Sequence, residues 1–133
     1  DNKSITSLKN INYLTNLTVL YLRDNNINDV SYLSSLKNLT KLDLSYNRIR
    51  DVSPLGGLRE LTVLDLQVNR IGGQGVGNIA SLGALPNLVA RNSLVLSENV
   101  GMSCFELKNL LLQLTRGQVN PSVAADGVTC TNP

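Results

Sequence analysis

Leu39-Thr-Lys-Leu42-Asp-Leu44-Ser-Tyr-Asn47-Arg-Ile49-Arg-Asp51-Val52-Ser-Pro-Leu55-Gly-Gly-Leu58 is a stretch that recurs along the chain. Moved back 22 positions, its apolar residues fall on Leu17, Leu20, Leu22, Ile27, Val30, Leu33 and Leu36, and Asn47 falls on Asn25. Moved forward by the same step, they fall on Leu61, Leu64, Leu66 and Ile71, with Asn69 in register. A repeat of this length is a solenoid signature, because one unit cannot bury its apolar face alone and must stack on the next.

Each part of the unit has a physical meaning. Leu20 and Leu22 alternate with Tyr21 and Arg23, the two-residue period of a strand with one buried face. Asn25 follows where the chain must turn inward. A buried amide needs partners, and its carbonyl and NH2 can satisfy backbone groups freed by the turn. Asn25, Asn47, Asn69 and Asn99 are therefore expected to stack as a ladder, one per coil. The remainder, Ile27, Val30, Leu33 and Leu36, steps every third residue. That spacing suits extended or 3₁₀-like turns rather than a long α-helix.

The run Asn47-Arg-Ile49-Arg-Asp51-Val52-Ser53-Pro54-Leu55 resembles the leucine-rich repeat family, in particular the short 22-residue subclass of the bacterial internalins. The likeness covers roughly residues 4 to 99. It implies an α/β repeat fold: a right-handed solenoid with a concave parallel β-sheet, a mostly 3₁₀ or extended convex side, one short convex helix and a C-terminal capping helix. It implies no enzyme activity.

Composition excludes several function classes. Twelve basic against ten acidic residues leave a net charge of +2, which argues against nucleic acid as a partner. No apolar run is long enough to span a membrane, so no membrane insertion is expected. The absence of histidine removes Ser-His-Asp and Cys-His sites and most zinc sites. The segment Gly72-Gly-Gln-Gly75-Val-Gly77 lacks the Lys-Ser/Thr of a phosphate-binding loop. No cofactor, metal or catalytic residue is expected. The chain begins at Asp1 without a methionine or signal segment, which reads as a processed or engineered start and leaves open whether the native chain extends upstream.

Taken in order, residues 1–16 form a partial repeat in which Ile5, Leu8, Ile11 and Leu14 match the three-residue steps and Lys3 stands at the ladder position. Without a cap, this end should expose apolar core and a strand edge. Repeats follow at 17–38, 39–60, 61–90 and 91–102. The third is long, since Asn69 and Asn99 are 30 positions apart. Its sequence resembles a ribonuclease-inhibitor-type repeat, with Val76, Ile79, Ala80 and residues 82–83 on one face of a short convex α-helix that Gly77 and Gly83 weaken and Pro86 ends. Residues around Ala90-Arg91-Asn92 are read as an insertion before Leu94.

Residues 103–133 read as a cap. Ser103-Cys-Phe-Glu106 has capping-box spacing, so a helix should start near Cys104. Leu107, Leu110, Leu111 and Leu114 would cover the open core end, with Gly117 as the stop and Val119 to Val128 as a loop. Cys104 and Cys130 both lie in this cap. A disulfide between them would add on the order of 3–4 kcal/mol and imply an oxidising compartment, extracellular, cell-surface or periplasmic. The alternative is a pair of free thiols in a cytosolic protein. Sequons at Asn2, Asn16 and Asn38 are explained for the last two by the repeat itself.

The outward strand positions form four rows: Val19, Tyr21, Arg23, Asp24; Lys41, Asp43, Ser45, Tyr46; Val63, Asp65, Gln67, Val68; and Ser93, Val95, Ser97, Glu98. Framework does not require tyrosines there, and Tyr beside Arg and carboxylates suits an interface anchor. Binding is therefore assigned to Tyr21, Arg23, Lys41, Asp43, Tyr46, Asp65, Gln67 and Val68. Such a face offers roughly 300–400 Å², well short of the ~800 Å² per partner of a standard interface, so loops or further repeats must contribute. The expected function is a monomeric, non-catalytic protein-binding module. Glycan binding by Tyr21, Tyr46, Asp43 and Asp65 is the alternative, and a structural end piece of a larger repeat protein is a third. Intact mass with and without reductant, followed by alkylation, is expected to give a two-proton deficit and alkylation only after reduction. Two thiols that alkylate under oxidising conditions would replace the secreted reading with a cytosolic one.

Overall fold

The computed structural model describes residues 4–72, 79–88, 93–99 and 102–114. The Leu-x-Leu segments form four short strands: β1 (Val19–Tyr21), β2 (Lys41–Asp43), β3 (Val63–Asp65) and β4 (Leu94–Val95). They pair in parallel in chain order. Leu20, Leu42, Leu64 and Leu94 stand in one register row, as do Tyr21, Asp43, Asp65 and Val95. The ladder continues past the strands, with Asp24 N–H on Ser45 O at 3.1 Å and Asn25 N–H on Tyr46 O at 3.2 Å.

The three-residue steps form 3₁₀ turns at Ile11–Tyr13, Ser31–Ser35, Ser53–Gly57 and Ile79–Ala84. Each coil thus returns from sheet to sheet by a tight path whose every third side chain points inward. The core is a set of stacked aliphatic columns. Leu42 and Leu64, Ile27, Ile49 and Ile71, Leu33, Leu55 and Leu82, and Leu39, Leu61 and Leu88 are all buried. This is the leucine-rich-repeat solenoid that the repeat implies.

The convex helix of the long repeat is a 3₁₀ segment, not the α-helix expected. Ile79 and Leu82 are buried, but Ala80 is exposed. The cause lies in the spacing: Ile79, Leu82, Leu85 and Leu88 keep the three-residue step of the earlier coils, and all four are buried. Val76 and residues 89–92 lie outside the described residues. Even so, the coil closes in register, since Leu94 pairs with Leu64 and Asn99 occupies the ladder. Gly72 adopts φ 97°, and a Cβ there would lie 2.6 Å from the Met102 backbone nitrogen, so this turn requires glycine.

The asparagine ladder is present in all four coils. Asn47 Nδ2 donates to Leu22 O, Leu44 O and Ser45 O at 2.9, 3.0 and 3.2 Å, and its Oδ1 accepts Ile27 N–H at 3.0 Å. Asn69 and Asn99 repeat the arrangement, and Asn25 ties Ile5 N–H to the first coil at 3.1 Å.

The two ends differ. At the first coil Leu8 is buried, but Tyr13 and Leu14 are 77% and 55% exposed, so apolar surface is open beside edge strand β1. At the other end α1 (Cys104–Leu114) lies against Ile79–Ala84 and buries Leu107, Leu110 and Leu114. Its start is capped as read: Glu106 N–H donates to Ser103 Oγ at 3.1 Å, and the Ser103 hydroxyl donates to the Glu106 carboxylate at 3.0 Å. Gly117, the segment from Val119 to Val128 and Cys130 lie outside the described residues.

Replacing Asn47 by alanine strands the buried Ile27 amide and takes one of two donors from each of Leu22 O, Leu44 O and Ser45 O, and is expected to lower stability by about 1–3 kcal/mol. Tyr46→Ala, one residue earlier, should leave the denaturation midpoint almost unchanged. Equal losses in the two variants would mean that the inward and outward positions are misassigned.

Candidate functional site on the open sheet face

The sheet face turned away from the core carries the outward strand residues. Tyr21, Arg23, Lys41 and Tyr46 are exposed; Asp43, Asp65, Gln67 and Val68 are half-buried. The register places Tyr21, Asp43 and Asp65 in one row and Lys41 beside Val19 and Val63. Arg23 reaches across to the next coil and sets its guanidinium 4.4 Å from the Tyr46 ring centroid. That contact holds a cation on an aromatic face at the surface, a pair worth about 0.5–1 kcal/mol in such a setting.

The carboxylates are oriented by the backbone. Asp43 Oδ1 accepts Ser45 N–H at 2.9 Å and the Ser45 hydroxyl at 2.6 Å, and Asp65 Oδ1 accepts Gln67 N–H at 2.9 Å. Gln67 Nε2 then donates to Glu98 at 3.0 Å. Burial pushes the Asp65 carboxyl above its ordinary pKa; the Gln67 amide opposes this, Asp43 adds to it and Arg23 offsets it.

Three positions expected to be exposed on this face are not exposed. Ser45, Ser93 and Ser97 are buried. At Ser45 the reason is local: the chain begins to turn toward the ladder, and the hydroxyl folds back onto Asp43 instead of facing solvent.

The turn also imposes a conformation that periodicity does not reveal. Asp24, Tyr46, Val68 and Glu98, each just before a ladder asparagine, adopt φ of 57°, 57°, 50° and 59°. The left-handed region costs a non-glycine residue roughly 1–2 kcal/mol. For the β-branched Val68 it is a true outlier. Tyr46 and Val68 are thus presented at the rim of the face by a strained backbone that stacking of the coils enforces.

Sequence reading passed over the edge next to this rim. Arg48 and Arg70 follow the ladder asparagines one repeat apart, and Arg50 lies two residues on. Together they line a cleft of about 410 Å³ with Asn28 and Asp29. The signal was the repeat register itself, which places the two arginines one above the other. No group of three or more metal-binding side chains occurs among the described residues. Among the described residues, no helix is long and apolar enough to cross a membrane.

Comparison with known proteins agrees with this geometry. The family profile for leucine-rich repeats, in two copies, matches residues 15–57 and 37–74. No curated protein sequence matches the chain. Among solved structures, it is similar to internalin C2 of Listeria monocytogenes, with 35% identity and a TM-score of 0.65 over 79% of this chain and 43% of that one. Another internalin of the same organism, inlF, gives 27% identity and a TM-score of 0.61 over 86% of this chain and 44% of that one. A leucine-rich-repeat protein of Leptospira interrogans gives 27% and 0.69 over 84% of this chain and 27% of that one. The chain therefore spans less than half the length of these solved relatives.

Replacing Asp65 with asparagine tests the electrostatics of the face. A carboxyl whose folded pKa is raised stabilises the fold fully below its unfolded value, and that contribution is lost as pH rises through the folded value. At neutral pH the ionised Asp65 is therefore a liability. Asp65→Asn, which can still accept the Gln67 amide, should raise the denaturation midpoint at pH 7, and the gain should vanish below about pH 4. A gain independent of pH would remove burial of the charge as its cause.

Proposed function

We propose that the chain, whose residues 15–74 match the leucine-rich-repeat profile, acts as a non-catalytic protein-recognition module, gripping its partner with the open sheet face and adjoining loops. The observation that carries this reading is the Arg23–Tyr46 pair, together with exposed Tyr21 and the half-buried Asp43 and Asp65. Amphipathic anchors and oriented charges are collected on a face whose side chains the core does not need. Tyr and Arg are enriched where proteins bind one another, because each offers large contact area with a polar tip.

The parent protein is read as a bacterial protein of the internalin-like subclass, secreted or on the cell surface, with a monomeric binding unit and a cap closed by Cys104 and Cys130. Similarity to internalins supports the subclass, and two cysteines in one cap support the compartment. The small described sheet also fits a module that works with neighbouring repeats or loops, since four strands at about 4.8 Å spacing cannot supply a standard interface alone.

A photo-crosslinking residue placed at Tyr21 or Tyr46, and in separate variants at Tyr32 or Ser34 on the 3₁₀ side, tests the face directly. Incubated with candidate host or bacterial surface proteins, the sheet-face positions should capture a partner and the 3₁₀ positions should not. Against that captured partner, Tyr21→Ala and Tyr46→Ala should each lose about tenfold or more in affinity without lowering the melting temperature. Equal capture from both sides would refute binding through the sheet.

A further inference from the structure

Beyond the sheet face, the ladder edge of the solenoid carries two adjoining clefts, and we propose that they form a second binding site, for a sulfated polysaccharide. One cleft, of about 440 Å³, is lined by Asn26, Tyr46, Arg48, Val68 and Arg70 among others. The second, of about 410 Å³, shares Arg48 and Arg70 and adds Arg50. Three arginines therefore line one continuous strip.

The strip is built by the framework. Arg48 N–H donates to Ile27 O at 2.8 Å and Arg70 N–H to Ile49 O at 2.9 Å, so both backbones are fixed to the preceding coil. Stacking sets Arg48 and Arg70 about 5 Å apart at the backbone, while Arg50 lies roughly 7 Å along the chain from Arg48, its side chain on the same side because the intervening Ile49 points inward. Among the described residues, none of the three guanidiniums hydrogen-bonds or pairs with a carboxylate. The acidic groups lining the clefts are Asp24 and Asp29. Asp29 accepts the Ser31 amide at 2.8 Å, so its carboxylate is already engaged by the backbone. In the second cleft three cations face one anion.

The chemistry of this strip selects its ligand class. A guanidinium fork matches two oxygens of a tetrahedral oxyanion, and it is less strongly hydrated than an ammonium, which favours sulfate esters. Three arginines whose backbones stand about 5–7 Å apart suit anions repeated along a chain rather than a single ion. The Tyr46 ring and the Asn26 amide at the neighbouring cleft suit a sugar ring and its hydroxyls. A nucleic acid would need successive aromatic platforms for its bases, and the strip has one tyrosine.

The test titrates the full chain with a size-defined, fully sulfated oligosaccharide at about 150 mM salt, where exposed, unspecific attraction is screened. Its desulfated counterpart and an inorganic polyphosphate of matched charge serve as comparators. The sulfated sugar should bind and the other two should bind about tenfold more weakly or worse. Arg48→Ala with Arg70→Ala should lose about tenfold or more, and the paired Arg→Lys variants, which keep the charge but not the fork, should also weaken binding. Lys9→Ala with Arg59→Ala, which removes the same charge elsewhere on the surface, should bind normally. Absence of binding, equal binding of the desulfated sugar or of polyphosphate, or equal loss in the Lys9/Arg59 control would each overturn the proposal.

Discussion

One asparagine side chain per coil bridges two coils, and the geometry of the whole molecule follows from that bridge. Asn47 donates to Leu22 O and accepts from Ile27 N–H, both of the preceding coil, while it also donates to Leu44 O of its own. Asn69 does the same with Leu44 O and Ile49 N–H, and Asn99 with Leu66 O and Ile71 N–H. The turn after each strand would otherwise leave backbone groups buried and unpaired, at a cost comparable to a lost hydrogen bond for each. Because the amide fits only when its side chain points inward, the residue before it is forced into the left-handed region. The same bond that satisfies the interior thus decides which side chains stand at the rim.

This constraint links the framework to both surface sites. Inward positions are filled by aliphatic side chains in fixed columns, leaving the outward ones free to vary without loss of core. Tyr46 and Val68 are placed at the rim by the strained turn, and Arg48 and Arg70 by the backbone bonds that follow it. The sheet face and the arginine strip are therefore two sides of one ridge, with Tyr46 contributing to each. A partner held on the face and a polyanion held on the edge would contact adjacent residues of the same coils.

The ends of the stack follow the same logic. Among the described residues, Tyr13 and Leu14 leave apolar surface open on the first coil. The opposite end is closed by a helix whose Leu107, Leu110 and Leu114 replace the next coil. Helical spacing there gives way to a capping function because the apolar face of α1 needs only to cover a surface, not to continue a register.

The repeat, the strand positions, the asparagine ladder, the three-residue steps of the convex side and the cap helix were all legible in the amino-acid sequence, because each depends on inward side chains recurring at a fixed interval. Asn99 was legible as a ladder residue despite the long third repeat, whereas the register of residues 86–94 was not, because the extra residues break the fixed interval; the pairing of Leu94 with Leu64 settles it. The tertiary structure alone decided what depends on neighbouring coils. Ser45, Ser93 and Ser97 are buried although the alternation places them outward, and at Ser45 the hydroxyl closes onto Asp43, a contact that alternation does not record. The long repeat chose a 3₁₀ segment over an α-helix because it must pack in step with the coils beside it. Arg23 met Tyr46 only once residues far apart in the chain were stacked, whereas the repeat register already aligned Arg48 with Arg70 and only the cleft that they line with Arg50 needed the assembled coils. Periodicity fixes which way a side chain faces, whereas what it meets there depends on the twist and spacing of the assembled coils.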